Sequence, residues 1–314
     1  MRLKRLFGLT LAAAFLFGGI IALPPAAAIP SPKLDFKRAK KTFENGNFKD
    51  AYEMFRKSTL RADEPSEQVC EQLQLGTNCL QRLNRVAEID AFREAVVEAH
   101  ADDWRVLWAA AKNCMSIPHQ GAIVAGKFVR GGRRRGGGQF VNTLARDRVR
   151  AMQLMVKALP SAQRDDNRGE VSNFFNSFAG IVLGGRGYGE AWRLQILTEL
   201  VVLPDYEPGW GRHYGGSRGA PVDAEGNPVF YQVPNSFDAA ESDGQRWRWC
   251  LAQVVEYEPS KRNQTRLDFA GFLYSQFGVQ TMAHGGWRIG RLGDGDGDDE
   301  KDKTGPFALH TLAE

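Results

Sequence analysis

The sequence predicts an all-α fold: an irregular array of helix-turn-helix units, an alpha solenoid, interrupted by one long Gly/Pro/aromatic loop. Three observations predict it. Apolar residues recur at steps of three and four through most of the chain between Phe36 and Phe277. Chain breaks such as Gly46-Asn47 fall between these periodic segments. Alternating Val, Ile and Thr of the strand type is almost absent, the exception being Asn227 to Val233, where Glu225-Gly-Asn-Pro228 suits a small hairpin.

The chain begins with Arg2, Lys4 and Arg5, then an apolar run from Leu6 to Leu23, then Pro24-Pro25-Ala26-Ala27-Ala28. A basic start, an apolar core and a small-residue end make an export signal over residues 1–28, with cleavage after Ala28. An uncleaved anchor is the alternative, because the run approaches the length that spans a bilayer. Either way the bulk of the chain leaves the cytoplasm, to a periplasmic or extracellular location.

The first clear repeat unit lies between Phe36 and Leu60. Ala51 lets two helices approach, and Phe43, Phe48 and Phe55 fill the space between them. The spacing Gly46-x-Phe48-x-x-Ala51-x-x-x-Phe55 resembles the second half of a tetratricopeptide repeat. A weaker copy follows at Gly187-Tyr188-Gly-Glu-Ala191, with Pro204 near its end. Arg186 replaces the glycine there and Gln195 replaces the phenylalanine, so Leu194 or a neighbouring turn must supply the apolar contact.

Between and beyond these copies the period persists. Val69, Leu73, Gly76, Leu80 and Leu83 mark one helix, Ile89, Phe92 and Val96 another, and Trp104, Leu107, Trp108 and Ala111 a third. Val149, Met152, Val156 and Leu159 follow, then Val171, Phe174, Phe175 and Phe178. Trp247, Cys250, Leu251 and Val254 mark a later helix, and Leu267, Ala270, Tyr274 and Phe277 the last, for about ten in all by this apolar-period count. A non-repetitive helical domain is the competing architecture. The domain plan is a helical repeat domain over 29–290, an acidic linker over 291–304 and a tail over 305–314 that reads as the start of a further domain.

Composition narrows the function. The chain has 314 residues, 43% hydrophobic and 25% charged, enough for a buried core. This excludes collagen, a coiled coil and a multi-span membrane protein. The formal charge is +4, and residues 1–28 hold three cations and no acid, so removing them leaves +1. A nearly neutral chain is no nucleic-acid binder by bulk charge. The membrane enters only through an uncleaved signal. Cys70, Cys79, Cys114 and Cys250 would allow two disulfides in three connectivities, but each lies among apolar neighbours on a helical pattern, which favours buried free thiols.

Three segments invite a functional reading. Residues 130–138 hold Arg130, Arg133, Arg134 and Arg135 among glycines, a flexible basic loop between two helices or a dock for an anionic polymer or acidic partner. Residues 205–237 hold Trp210, His213, Tyr214 and Tyr231, an ordered loop that either presents a recognition surface or covers a helix face. Residues 294–303 carry six acids and two lysines. They miss the calcium-loop pattern, with Asp299 where glycine belongs and Gly305 where an acid belongs, so they read as a solvated linker.

No catalytic, metal or cofactor pattern stands out. The five histidines share no spacing of three or four, and no Gly-x-Ser-x-Gly elbow or phosphate loop is present. His213, near Asp205 and Tyr214, is the least poor catalytic candidate.

Several strings occur together: Arg105-Val-Leu-Trp-Ala-Ala-Ala-Lys-Asn, Ala122-Ile-Val-Ala-Gly-Lys-Phe128, Gly187-Tyr-Gly-Glu-Ala-Trp-Arg-Leu, Glu241-Ser-Asp-Gly-Gln-Arg-Trp-Arg-Trp249 and Gln276-Phe-Gly-Val-Gln-Thr-Met282. From residue 36 onward the chain resembles the N-terminal tetratricopeptide-like region of large exported alpha-2-macroglobulin-like proteins of planctomycete bacteria. The resemblance implies a part in trapping or inhibiting endopeptidases, with a protease or downstream macroglobulin domains as partner. Two hallmarks of macroglobulins do not carry over. Cys70-Glu71-Gln72 lacks the residue that separates cysteine and glutamate in their thioester motif, and the strand pattern of their β-sandwiches never starts.

The reading is therefore a non-enzymatic, exported protein-interaction module without cofactor or metal. It binds a protein or peptide through the 205–237 loop, the helix faces near Trp104 and Trp108, and the arginines Arg133, Arg134 and Arg135. The alternative is a cell-wall or glycan-processing enzyme on a helical fold.

Overall fold

The computed structural model describes residues 32–131, 138–209 and 219–278. Residues 1–28, expected to be an export signal, Arg133, Arg134, Arg135, Trp210, His213, Tyr214 and the acidic segment lie outside the described residues.

Helices α1 (Pro32–Glu44) and α2 (Phe48–Thr59) form a hairpin about Gly46, whose φ of +79° suits glycine. Asn47 caps α2 by accepting the Asp50 amide, and its own amide group donates to the Asp50 carboxylate at 2.7 Å. Ala51 and Phe55 are fully buried, and Phe43 meets Phe48 edge-on at 5.4 Å. Helix α3 (Ser66–Arg82) packs on α2. Its Gly76 has no room for a side chain: a Cβ there would stand 2.8 Å from the ring of Phe92 on α4 (Ile89–Ala99). Helix α5 (Trp104–Ser116) starts at Asp103, which accepts the amides of Arg105 and Val106. Helices α6 (Leu144–Ala162), α7 (Arg168–Leu183), α8 (Asp243–Tyr257) and α9 (Arg262–Phe277) follow. Each of α5 to α8 packs on the next in the chain, and one apolar cluster runs from Ala39 to Phe272.

The described residues are mostly helical, in keeping with the helical class expected, with one small sheet added. An antiparallel sheet has the strand order β2-β1-β3-β4, its first three strands lying between α5 and α6 in the chain and β4 between α7 and α8. Its strands are β1 (Gln120–Val124), β2 (Lys127–Arg130), β3 (Gln139–Asn142) and β4 (Glu207–Pro208). The β1–β2 hairpin turns on Ala125 and Gly126, both at positive φ, as a two-residue primed turn requires. Strands this short carry little periodicity, and alanine is an unusual first turn residue, so the pattern is weak in the sequence. The segment 227–233 forms no strand: a single bridge joins Val222 and Pro228.

The basic loop therefore joins two strands, not two helices, and its first arginine is structural. Arg130 is 4% exposed and carries two carboxylates, Asp90 at 2.9 Å and Asp147 at 2.8 Å, while also donating to the Pro118 carbonyl. His119 and Thr143 complete the shell of Asp147 at 2.8 and 2.6 Å. Burial alone would raise the Asp147 carboxyl, but the hydrogen bonds from His119 and Arg130 and the Arg130 charge hold it at about 2. This cluster bolts the sheet to α4 and α6, and it takes Arg130 out of any polymer-binding surface.

The second copy of the motif does not fold as a helix pair. Gly184, Gly185 and Glu190 all have positive φ, and only a short 3-10 turn, Ala191–Gln195, forms. Ala191 and Leu194 are nonetheless fully buried, so Leu194 makes the apolar contact that Gln195 cannot. The segment is then held by polar bonds. Asp243, wholly buried at the start of α8, accepts the Thr198 amide at 3.0 Å and takes ion pairs from Arg148 at 2.6 Å and Arg186 at 3.2 Å. Arg148 also donates to the Ile181 and Val182 carbonyls at the end of α7.

Candidate functional site

Alternate helices are neighbours in the first two thirds of the fold: α1 touches α3, α3 touches α5 and α5 touches α7. The side chains that join them are polar. Lys40 of α1 pairs with Glu71 of α3 at 2.8 Å, and Arg105 of α5 pairs with Glu170 of α7 at 2.7 Å and with Asp165 at 2.9 Å.

An open groove of about 450 Å³ lies between α3 and α5. The i, i+3, i+4, i+7 spacing of α3 brings Glu67, Cys70, Glu71 and Gln74 to one wall. The same spacing brings Ala109, Lys112, Asn113 and Ser116 of α5 to the other. Glu67, Gln74 and Lys112 are exposed, and among the described residues neither Glu67 nor Lys112 has an ion-pair partner. Lys112 rests its ammonium 4.2 Å from the Trp108 ring centroid, a cation–π contact that aims the charge along α5. Asn113 holds Thr77 through its amide nitrogen at 2.9 Å, while its oxygen has no partner among the described residues.

Trp104 and Trp108 were expected on an interaction face. Trp104 is instead a core residue, 5% exposed, with its Nε1 donating to Asp165 at 3.1 Å. It stacks on Trp108 at 6.0 Å, and Phe174 of α7 meets both rings edge-on. Trp108 is half-buried, beside the groove, and its Nε1 has no partner among the described residues. Tyr231 is buried: its ring covers Gly244 so closely that a Cβ there would stand 2.4 Å away. With Phe237, which stacks on Phe178 at 4.8 Å, it makes the stretch around 231–237 a cover over α7 and α8, while Glu207–Pro208 joins the sheet as β4. The expectation of a recognition role for Trp210, His213, Tyr214 and the arginines Arg133, Arg134 and Arg135 falls on residues outside those described.

All four cysteines are free. Burial pushes the Cys70 thiol up to about 12, with the Asp103 charge adding to the shift, so the groove thiol stays protonated and donates to the Arg105 carbonyl. His119, with Asp147 on its Nδ1, has the base half of a hydrolytic pair, but among the described residues no hydroxyl or thiol is hydrogen-bonded to its ring. No group of three or more His, Cys, Asp or Glu among the described residues could hold a metal ion, and no helix among them is long and apolar enough to cross a membrane.

Comparison of the chain with protein-family models, curated proteins and solved structures returns no match. None of the residues expected from the sequence lines this groove: Trp108 stands one helical turn from Lys112, and Glu67, Gln74 and Lys112 were missed. The signal was present: polar residues at 67, 71 and 74 face away from the apolar stripe of Val69, Leu73, Gly76 and Leu80.

Proposed function

We propose that this chain is an exported, non-enzymatic protein-interaction module, built as an irregular tetratricopeptide-like array and binding an extended peptide segment of a protein partner between α3 and α5. The single observation that carries it is the groove itself: it runs between two neighbouring alternate helices, and its lining holds two exposed, opposite charges without ion-pair partners among the described residues, Glu67 near the start of α3 and Lys112 near the end of α5. Gln74 can both donate to and accept from a peptide backbone, which needs exactly such a two-way partner. The succession of neighbours, each alternate helix touching the next, supports the array reading. Export rests on the composition of residues 1–28. The resemblance to macroglobulin-like proteins suggests the class of partner, a protease or macroglobulin domains.

The test uses the chain without residues 1–28. Peptides selected from a display library on the immobilised protein are titrated by calorimetry. Lys112→Glu weakens binding at least tenfold, Gln74→Ala weakens it less, and Lys57→Glu on the far helix α2 leaves it unchanged. Peptides whose affinity ignores both Lys112 and Gln74 would remove the groove from the proposal.

A further inference from the structure

A second groove, of about 340 Å³, lies between α8 and α9 and has the opposite character. Its floor is apolar, with Leu251, Phe269 and Leu273. The only charged residues in its lining are three arginines, Arg248, Arg262 and Arg266. Among the described residues no carboxylate pairs with any of them. Arg262 and Arg266 are exposed and stand one turn apart on α9. Arg248 is half-buried, with its guanidinium 3.6 Å from the Phe269 ring centroid and, among the described residues, a single hydrogen bond, to the Tyr231 carbonyl at 3.3 Å. Burial lowers its proton affinity, so an anion at this point would relieve an uncompensated charge.

The chain supplies a segment of matching chemistry. Beyond α9, residues 294–303 hold Asp294, Asp296, Asp298, Asp299, Glu300 and Asp302, and the apolar Phe307, Leu309 and Leu312 follow. Acids together with large apolar side chains are the complement of a basic rim beside an apolar floor. The connection is long enough. Helix α9 has 16 residues and so is about 24 Å long. The residues from Gly278 to Asp294 can span roughly 50 Å when extended. The acids can therefore return to the first turn of α9, where Arg262 and Arg266 stand.

We propose that residues 294–312 of this same chain dock in the α8–α9 groove, the acids on Arg262, Arg266 and Arg248 and the apolar side chains on Leu251, Phe269 and Leu273. The docked segment covers α9, the last helix among the described residues. Leu267 and Tyr274, more than half exposed on α9, mark how incompletely that helix is covered by the described residues.

The experiment uses the full chain bearing Arg266→Lys, which keeps the charge and adds a reactive amine. Carbodiimide coupling at low protein concentration, followed by peptide mass mapping, reads which carboxylate lies against that amine. Coupling to one of the acids between 294 and 302 within the monomer is the expected result, lost when those six acids are replaced by serine and lost in about 0.5 M salt, where the Debye length falls to a few ångströms. Hydrogen exchange gives a second reading that does not depend on the coupling: α9 amides exchange at least fivefold faster in the serine variant. Coupling found only in a cross-linked dimer would assign the groove to a second copy and overturn the proposal. So would α9 exchange that is the same with and without the acids.

Discussion

Residues 46–55 and 186–195 carry the same motif 140 positions apart, and only the first becomes a helix. The two start alike. Ala51 and Ala191 are both fully buried, so the small residue does the same job in each. They part at the positions that set the backbone. Asn47 caps α2 with its side chain, while the matching Gly187 has none. Asp50 is helical, while the matching Glu190 has a φ of +52°. Phe55 fills the hairpin, while the matching Gln195 cannot. The first region is held by an apolar stripe. The second is held by the buried Asp243 with Arg148, Arg186 and Thr198. A spacing motif thus reports where chain packs closely. Whether it coils into a helix depends on the cap and the backbone beside it.

The comparison breaks most directly at its apolar centre. Phe55→Ala is expected to destabilise the protein by about 3–5 kcal/mol, as a buried phenylalanine does. Tyr188→Ala, at a side chain 64% exposed, should stay within about 0.5 kcal/mol. Urea unfolding of both variants decides this, and equal losses would mean that the second region packs like the first.

Asp243→Ala tests the polar half. Removing a wholly buried carboxylate strands Arg148 and frees Thr198, for an expected loss of about 3–5 kcal/mol. Faster hydrogen exchange in residues 191–200 than in α1–α2 would locate the damage. A uniform loss would contradict the local role given to Asp243.

Acid sharpens the same contrast, because polar clamps titrate and apolar stripes do not. Asp147 is held at about 2 in the folded protein, below its ordinary 3.8. The stability it contributes is present above pH 4 and is lost as the pH falls toward 2, a decline of about 2 kcal/mol. Asp147→Asn should lower stability at pH 7 and flatten that part of the profile. An unchanged slope between pH 4 and 2 would show that Asp147 is not the titrating group.

The smallest difference concerns the caps. Asn47→Ala should cost about 1 kcal/mol. Gly187→Asn should change stability by less than about 0.5 kcal/mol, since a cap cannot start a helix that Glu190 leaves three residues later. Thermal melts of the two variants are enough to compare them.

Much of the helical part was legible. Val69, Leu73, Gly76 and Leu80, or Phe174, Phe175 and Phe178, face inward as their spacing predicts, because a helix turns every 3.6 residues whatever its neighbours. The sheet was not legible, since strands of four and five residues hold too few alternations to set a period. Trp104 and Tyr231 looked like surface aromatics because composition cannot say which side of a wall a ring faces. Their burial comes from partners 61 to 70 positions away for Trp104, Asp165 and Phe174, and from Gly244 for Tyr231.

The sequence by itself determined the mostly helical class, the first hairpin and the inward faces, because each follows from contacts within a few turns of chain. Only the tertiary structure decided that Arg130 is a clamp, that Gly187 to Gln195 stays unwound, and that Glu67 and Lys112 line one groove. Those outcomes join residues between 17 and 95 positions apart, from Arg130–Asp147 to Arg148–Asp243. Such pairs form only when the whole chain has packed, because burial is what makes an ion pair necessary and a groove possible.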